Sequence, residues 1–362
     1  MTYGKELIDK MKIKEMLSNA IDKNASDIFI IAGRPLSYKI MGEIISQNEE
    51  PLLSEDTYEI IYDIFKIADK DGIEELSKEG DVDFSFSLPK LGRFRVSAYK
   101  QRNSFAAVIR VVLFELPNPM ELGIPEVVMN LYKKTKGLVL VTGPAGSGKS
   151  TTLACIVDKI NSERNCHIMT FEDPIEFIHR HKKSIVSQRE ISTDSKSYIS
   201  SLRSSLRQAP DVILIGEMRD LETIEIALTA AETGHLVLSS LHTTGAANTI
   251  DRIIDVFPPN QQQQVKIQLS MQLQAVISQQ LIPSQICGRS AAFEVMLVNN
   301  AVSNLIRESK VHQLNSVIYS SEGRGMKSMD SSIIELYKND KISKECALTY
   351  SIDSDSIVKH LK

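Results

Sequence analysis

The fold class predicted for this 362-residue chain is α/β: a doubly wound parallel sheet, preceded by a smaller α+β domain. Three observations carry the prediction. Apolar runs at residues 138–142, 166–171, 212–215 and 236–241 alternate with stretches of helical periodicity, the pattern of parallel strands buried on both faces. Before residue 115, strand-like segments instead follow one another with few helices between them. Pro117, Pro119, Gly123 and Pro125 crowd the join and read as a linker. The expected units are therefore residues 1–115, a linker at 116–125, and residues 126–362, with short helices and weak linkers from about 299.

In chain order, Leu7, Ile8, Met11, Ile13, Met16, Leu17 and Ile21 have broadly helical spacing over residues 5–22. Residues 25–31 read as a strand ended by Gly33-Arg34-Pro35, and residues 38–45 as a second with a turn at Gly42. A helix over 54–66 precedes the alternating segment 81–88, a turn at Pro89-Lys90-Leu91-Gly92, and strands at 93–99 and 105–114. Arg93, Arg95, Arg102 and Arg110 fall on this stretch, where an edge-strand arginine is ordinarily solvated or salt-bridged. Beyond Phe257-Pro258-Pro259, apolar residues from Ile267 to Leu281 alternate with glutamines and read as an amphipathic helix with a polar, uncharged face.

Composition narrows the function classes. An apolar fraction of 42% and a charged fraction of 24% describe an ordinary soluble globular chain. With 42 basic and 46 acidic residues the net charge is −4 and the pI near 6.0, which argues against a nucleic-acid partner. Cys155, Cys166, Cys287 and Cys346 are widely spaced, so neither a zinc site nor a disulfide framework is expected. No signal-peptide core follows Met1, and no run of 18 apolar residues occurs, so a cytoplasmic location is expected.

Ligands of doubly wound sheets bind at the carboxyl ends of the strands, so the residues after each apolar run matter most. After the first comes Gly143-Pro144-Ala145-Gly146-Ser147-Gly148-Lys149-Ser150-Thr151, which fits the phosphate-binding pattern G-x-x-x-x-G-K-[ST]. The glycines allow several backbone N–H groups to converge on one anion, at the positive end of the following helix. Lys149 can neutralise β- and γ-phosphate charge, and the Ser150 hydroxyl can ligate Mg²⁺, so ATP and Mg²⁺ are the expected ligands.

After the second run come Glu172, Asp173 and Glu176. Carboxylates this close repel unless a cation offsets them, and Mg²⁺ or a polarised water would do so here. After the third comes Gly216-Glu217, where a carboxylate would anchor a magnesium-bound water or act as base toward the attacking water; a helix N-terminal acid is the competing reading. After the fourth comes His242, which can donate to a γ-phosphate oxygen, while His235 precedes that strand and either lines the site or packs against it.

Four motifs thus stand in one order: GPAGSGKSTT at 143–152, FEDPIEF at 171–177, ILIGEMRD at 213–220 and GHLVLSSLHTTGA at 234–246. Together they resemble the Walker A, aspartate, Walker B and histidine boxes of the secretion ATPases that drive type IV pili and type II secretion. The similarity is greatest to the pilus retraction ATPases, the PilT group, and extends to Ala25-Ser26-Asp27, to residues 92–96 and to Asn304-Leu305-Ile306-Arg307-Glu308. The resemblance implies a PAS-like N-terminal domain joined to a RecA-like P-loop ATPase domain, a ring-shaped homohexamer, and a nucleotide between the domains. It implies Arg95 and Arg110 as further phosphate contacts and Glu217 as the catalytic carboxylate. Glu172, Asp173 and Glu176 would support it as the acidic box, with His235 and His242 as the histidine box. The implied partner is an inner-membrane platform protein, through which force reaches pilin indirectly at the cytoplasmic face of the membrane.

The tetracysteine zinc motif and longer N-terminal extension of assembly and type II secretion relatives are not seen in this sequence, which favours retraction. Three positions depart from the family. Ala145 stands where Thr is usual, Ala209 replaces the acidic residue before Pro210, and Ser303 replaces an Arg of the retraction signature at 301–308. The competing readings are an assembly or type II secretion ATPase, a nucleic-acid motor, a nonhydrolysing switch and a small-molecule kinase. The acidic pI argues against the nucleic-acid motor, Glu217 with the acidic box against the switch, and the lack of any acceptor-pocket pattern against the kinase.

Overall fold

A computed structural model describes residues 13–89, 91–112, 116–191, 193–286 and 288–361. The chain divides into two units, Met1–Glu115 and Leu116–Lys362.

In the first unit, helix α1 covers residues 13–22, and the remainder of the helix expected from residue 5 lies outside the described residues. Strands β1 (Ala25–Ile30), β2 (Ser37–Ile40) and β3 (Glu43–Ser46) are followed by helices α2 (Ser54–Ile67) and α3 (Gly72–Glu79). Strands β4 (Asp81–Leu88), β5 (Gly92–Gln101) and β6 (Ser104–Val112) complete it. They form one antiparallel sheet in the order β3-β2-β1-β6-β5-β4. Alternation along β4 and β5 turns Phe84, Phe86, Phe94 and Val96 to one face, where Ile61, Ile64 and Phe65 of α2 join the same core. The Phe65 and Phe84 rings stack with centroids 4.7 Å apart. The segment 38–45, read as a strand with a turn at Gly42, is a hairpin that reverses at that turn. Met41 and Gly42 both take positive φ, 52° and 90°, which reverses the chain between β2 and β3.

The second unit opens with the short helix α4 (Glu126–Met129) and strand β7 (Gly137–Thr142). Helix α5 (Lys149–Glu163), β8 (His167–Glu172), β9 (Ile185–Glu190) and α6 (Tyr198–Ser205) follow. Then come β10 (Val212–Ile215), α7 (Leu221–Glu232), β11 (Leu236–Leu241), α8 (Ala246–Asp255) and α9 (Pro259–Gln272). The sheet is completed by β12 (Leu273–Pro283) and β13 (Arg289–Leu297), after which run the short helices α10 (Asn300–Arg307), α11 (Leu314–Ser320), α12 (Met329–Lys338), α13 (Lys344–Tyr350) and α14 (Ser354–Ile357).

Seven strands stand in the order β13-β12-β7-β11-β10-β8-β9, parallel throughout except for β13 against β12. The apolar runs of β7, β10 and β11 are buried at every position, with a core on each face of the sheet. This is the layered architecture expected of continuous apolar runs.

One expectation fails here. The amphipathic helix read over 267–281 ends at Gln272, and Leu273–Pro283 is strand β12. Pairing of β12 with β7 on one side and β13 on the other buries both its faces, Leu273 and Val276 in one core and Ala275 and Ile277 in the other, and β-branched Val276 and Ile277 suit the strand. Strands β9 and β13 lie in stretches from which no strand was expected.

Candidate active site

The order β7-β11-β10-β8 brings the carboxyl ends of four parallel strands side by side, so loops far apart in sequence share one sheet edge. At β7 the chain turns through residues 143–148 and enters α5 at Lys149. The Lys149 side chain is buried, and its ammonium donates to the carbonyl oxygens of Gly143 and Pro144 at 2.9 Å each. Burial pulls its pKa down, and the nearby Glu217 and Glu176 carboxylates pull it back up.

A cavity of about 240 Å³ opens beside this loop. Lys149, Ser150, Glu172, Glu176, Glu217 and His242 all line it with Asp173, Ala145 and Gly146, whereas of the other loop residues expected there Gly148 and Thr151 line a neighbouring cavity and Gly143, Pro144 and Ser147 are in neither lining. Glu217 is fixed from its backbone outward. The Gly216 N–H donates to the Phe171 carbonyl at 2.8 Å, the Ser240 hydroxyl donates to the Gly216 carbonyl at 2.6 Å, and the Met218 N–H donates to the Ser240 carbonyl. Its carboxylate is held at both oxygens, Oε1 by Arg219 at 2.5 Å and Oε2 by His242 Nε2 at 3.2 Å. The Asp220 side chain caps α7 by accepting from the Thr223 N–H at 2.8 Å, so helix capping falls to Asp220, three residues beyond Glu217.

Glu172 closes β8. Thr170 Oγ1 donates to its Oε1 at 2.6 Å and Gln188 Nε2 at 3.3 Å. Burial nevertheless dominates and pushes its pKa up to about 7, against the opposing pull of those two hydrogen bonds. Asp173 and Glu176 remain exposed on the following loop. That loop is tethered at Ile175, whose N–H donates to Glu190 Oε2 at 3.0 Å.

Several residues of this site were missed in the sequence. Gln188 and Glu190 belong to the unanticipated strand β9, and Gln188 also donates to the Phe177 carbonyl at 2.8 Å. His179 lines the cavity, buried, with no hydrogen-bond partner for Nδ1 among the described residues; burial holds its pKa down near 4, so it is neutral. Tyr198, at the start of α6, also faces the cavity, and burial pushes its phenol up. No local motif marks any of them.

His235 does not belong to this constellation. It stands at the amino end of β11, a strand length of about 20 Å from the edge where His242 lies. Its Nδ1 sits 2.9 Å from the Ala230 carbonyl and 3.2 Å from the Thr233 hydroxyl, tying off the end of α7. Arg95 and Arg110 belong to the first unit, directly opposite each other on β5 and β6. Arg110 Nε donates to Asp27 Oδ1 at 3.0 Å, across a pair in which Asp27 is buried and Arg110 largely exposed.

The donor set facing the cavity, a hydroxyl and carboxylates, suits a hard cation. Among the described residues no three His, Cys, Asp or Glu side chains converge tightly enough to chelate a metal alone. That fits Mg²⁺ held by the Ser150 hydroxyl, phosphate oxygens and water, and not a closed protein cage.

Comparison with known proteins places this geometry. The type II/IV secretion system protein family matches residues 3–325. A type IV pilus retraction ATPase of Pseudomonas aeruginosa is 46% identical over 337 residues, covering 93% of this chain and 97% of its own. A twitching motility protein of Neisseria gonorrhoeae is 49% identical over 278 residues, 76% of this chain and 74% of its own. Among solved structures, that of a pilus retraction motor with bound ADP superposes with a TM-score of 0.88 at 45% identity, covering 95% of this chain and 98% of that one. Among the described residues no helix is long and apolar enough to cross a membrane. The chain belongs to the type II/IV secretion system protein family, in its branch of pilus retraction ATPases, with a RecA-like ATPase domain behind an N-terminal domain.

Proposed function

We propose that this chain hydrolyses ATP to power retraction of a type IV pilus, as a homohexamer at the cytoplasmic face of the inner membrane. A platform protein there would pass force to pilin. The observation that carries the reading is the convergence of Lys149, Ser150, Glu217 and His242 on one cavity at the carboxyl edge of the sheet, in a chain that matches a retraction ATPase over 93% of its own length.

The backbone N–H groups of residues 143–148 and the N-terminus of α5 receive the phosphates, and Lys149 exchanges its two carbonyl partners for phosphate oxygens. A second cavity of about 340 Å³ shares Gly148, Thr151 and Thr152 with the loop and is walled by Ile124, Phe293 and Arg289. Its lining mixes apolar Leu122, Ile124, Leu281 and Phe293 with charged and amide side chains, so it would offer the nucleoside both an apolar wall and hydrogen-bonding groups. Mg²⁺, when bound, neutralises the β- and γ-phosphate oxygens, and the Ser150 hydroxyl, with water anchored by Glu217, would hold it. Glu217, oriented from both sides by Arg219 and His242, accepts a hydrogen bond from the attacking water and polarises it. His242 is placed to donate to the γ-phosphate as charge builds on it. Arg95 and Arg110 are carried as phosphate contacts on the resemblance alone.

Deletion with complementation tests the direction of work. Cells lacking the gene are expected to be hyperpiliated and unable to twitch, with rescue by the wild-type gene and none by Lys149→Ala. Bald cells would overturn retraction in favour of assembly.

A further inference from the structure

Gln279 was read as part of a helix; it lines the second cavity but has no role assigned to it in the scheme above. In the fold it lies on β12, 4% exposed, one residue beyond the point where Ser278 pairs with Thr142 at the start of the phosphate loop. It meets that loop at three places. Its backbone carbonyl oxygen lies 2.2 Å from where a Cβ on Gly143 would stand, and its side-chain Nε2 lies 2.8 Å from a Cβ on Gly148. Its Oε1 accepts a hydrogen bond of 2.8 Å from the hydroxyl of Thr152, which is 1% exposed in the first turns of α5. Both glycines also have positive φ, 143° and 88°, so a side chain at either would be strained as well as blocked.

From this we infer that Gln279 is a positioning residue for the phosphate loop. It braces the first glycine with its backbone, the last with its amide, and the following helix through Thr152, so that the inward-facing N–H groups are set before an anion arrives. The inference rests on the reading of this loop as a nucleotide site. A loop braced in its binding shape loses little conformational freedom on binding, whereas an unbraced loop must be ordered by the ligand. Removing the brace should therefore weaken binding and leave the chemical step, which depends on Glu217 and His242, nearly intact.

The test is MgADP binding by calorimetry, together with steady-state ATP turnover, on the full chain. Gln279→Leu is expected to raise the MgADP Kd about tenfold, the scale of one buried hydrogen bond and its unpaired partner. Saturated turnover should change less than about twofold, since the loss falls on binding common to ground and transition states. Thr152→Val is expected to match it, Thr152→Ser to recover most of the affinity, and the Gln279→Leu/Thr152→Val double variant to be no weaker than either single one. Wild-type affinity in both Gln279→Leu and Thr152→Val would overturn the inference alone. So would additive losses in the double variant, or a fall in turnover without a fall in affinity. A wild-type protein that does not bind MgADP would overturn the nucleotide reading itself and this inference with it.

Discussion

Glu172 offers the sharpest physical test of the site because its protonation is built into the fold. Its carboxyl accepts from Thr170 and Gln188, yet burial lifts its pKa from an ordinary 4.5 to about 7. Between those two values the folded chain keeps a proton that the unfolded chain has released. Stability must therefore fall as pH rises through that window, with the full cost present above about pH 7 and none below pH 4.5. The lift corresponds to about 3 kcal/mol.

Glu172→Gln removes the ionisation while its Oε1 can still accept from the Thr170 hydroxyl. Any fixed packing penalty of the amide is the same at every pH and cancels from the comparison. Thermal midpoints of the ligand-free wild type and Glu172→Gln, measured from pH 5 to pH 8, should diverge in the variant's favour as pH rises. For a unit of this size the gap should widen by about 6 °C across the range. A gap that stays constant, or that opens in favour of the wild type, would show that the carboxyl is hydrated well enough to ionise normally and that burial does not govern it.

Other outcomes follow from the same geometry. Glu217→Gln should lower phosphate release by at least about a hundredfold, since the carboxylate acts on the attacking water; retained turnover would remove Glu217 from the mechanism. His242→Ala should depress turnover, and His235→Ala should leave it unchanged at saturating ATP, because only the former reaches the cavity; equal losses would refute the placement. Arg110→Ala strands the buried Asp27 carboxylate and should cost the first unit about 1 kcal/mol, with Asp27→Asn restoring it in the double variant. Ala209 has a φ of 50°, a left-handed conformation costly for a β-carbon, so Ala209→Gly should stabilise the chain by about 1 kcal/mol in chemical denaturation.

That last position shows what sequence reading could and could not reach. Ala209 stood out as a departure without an explanation, and the backbone supplies one: acidic and amide side chains tolerate left-handed geometry better than alanine does. Ser303 lies on α10 near Arg307, which reaches Ser270, and nothing in the structure explains the loss of charge there. The phosphate loop, the acidic cluster, Glu217 and His242 were legible because a parallel sheet collects strand ends and each sat directly after an apolar run. His235 shows the limit of proximity in sequence. Seven residues from His242, it is carried by one whole strand to the opposite edge. The glutamine-rich stretch failed for a different reason, since its helix passes into β12 without a glycine or proline to mark the change, and β12 is buried on both faces and so carries no alternation to reveal it.

What no motif could convey is how the site tolerates its own charge. Three carboxylates of the acidic box and Glu217 line one cavity, and the fold treats them differently. Asp173 and Glu176 stay in solvent, which screens them. Glu217 is neutralised by Arg219, an exposed cation whose side chain can swing away. Glu172 is buried deeply enough to remain about half protonated at neutral pH, and the imidazole of His179 beside the same cavity stays uncharged. Burial at the end of β8 lifts Glu172 against the pull of its hydrogen bonds from Thr170 and Gln188, and Glu190 of the unanticipated strand β9 ties down the acidic loop. Negative charge around the cavity is thereby reduced while Glu217 keeps its place in the lining. Strand β9, outside every motif, works in the opposite sense, since the hydrogen bond from its Gln188 favours the ionised carboxylate and limits how far burial lifts Glu172.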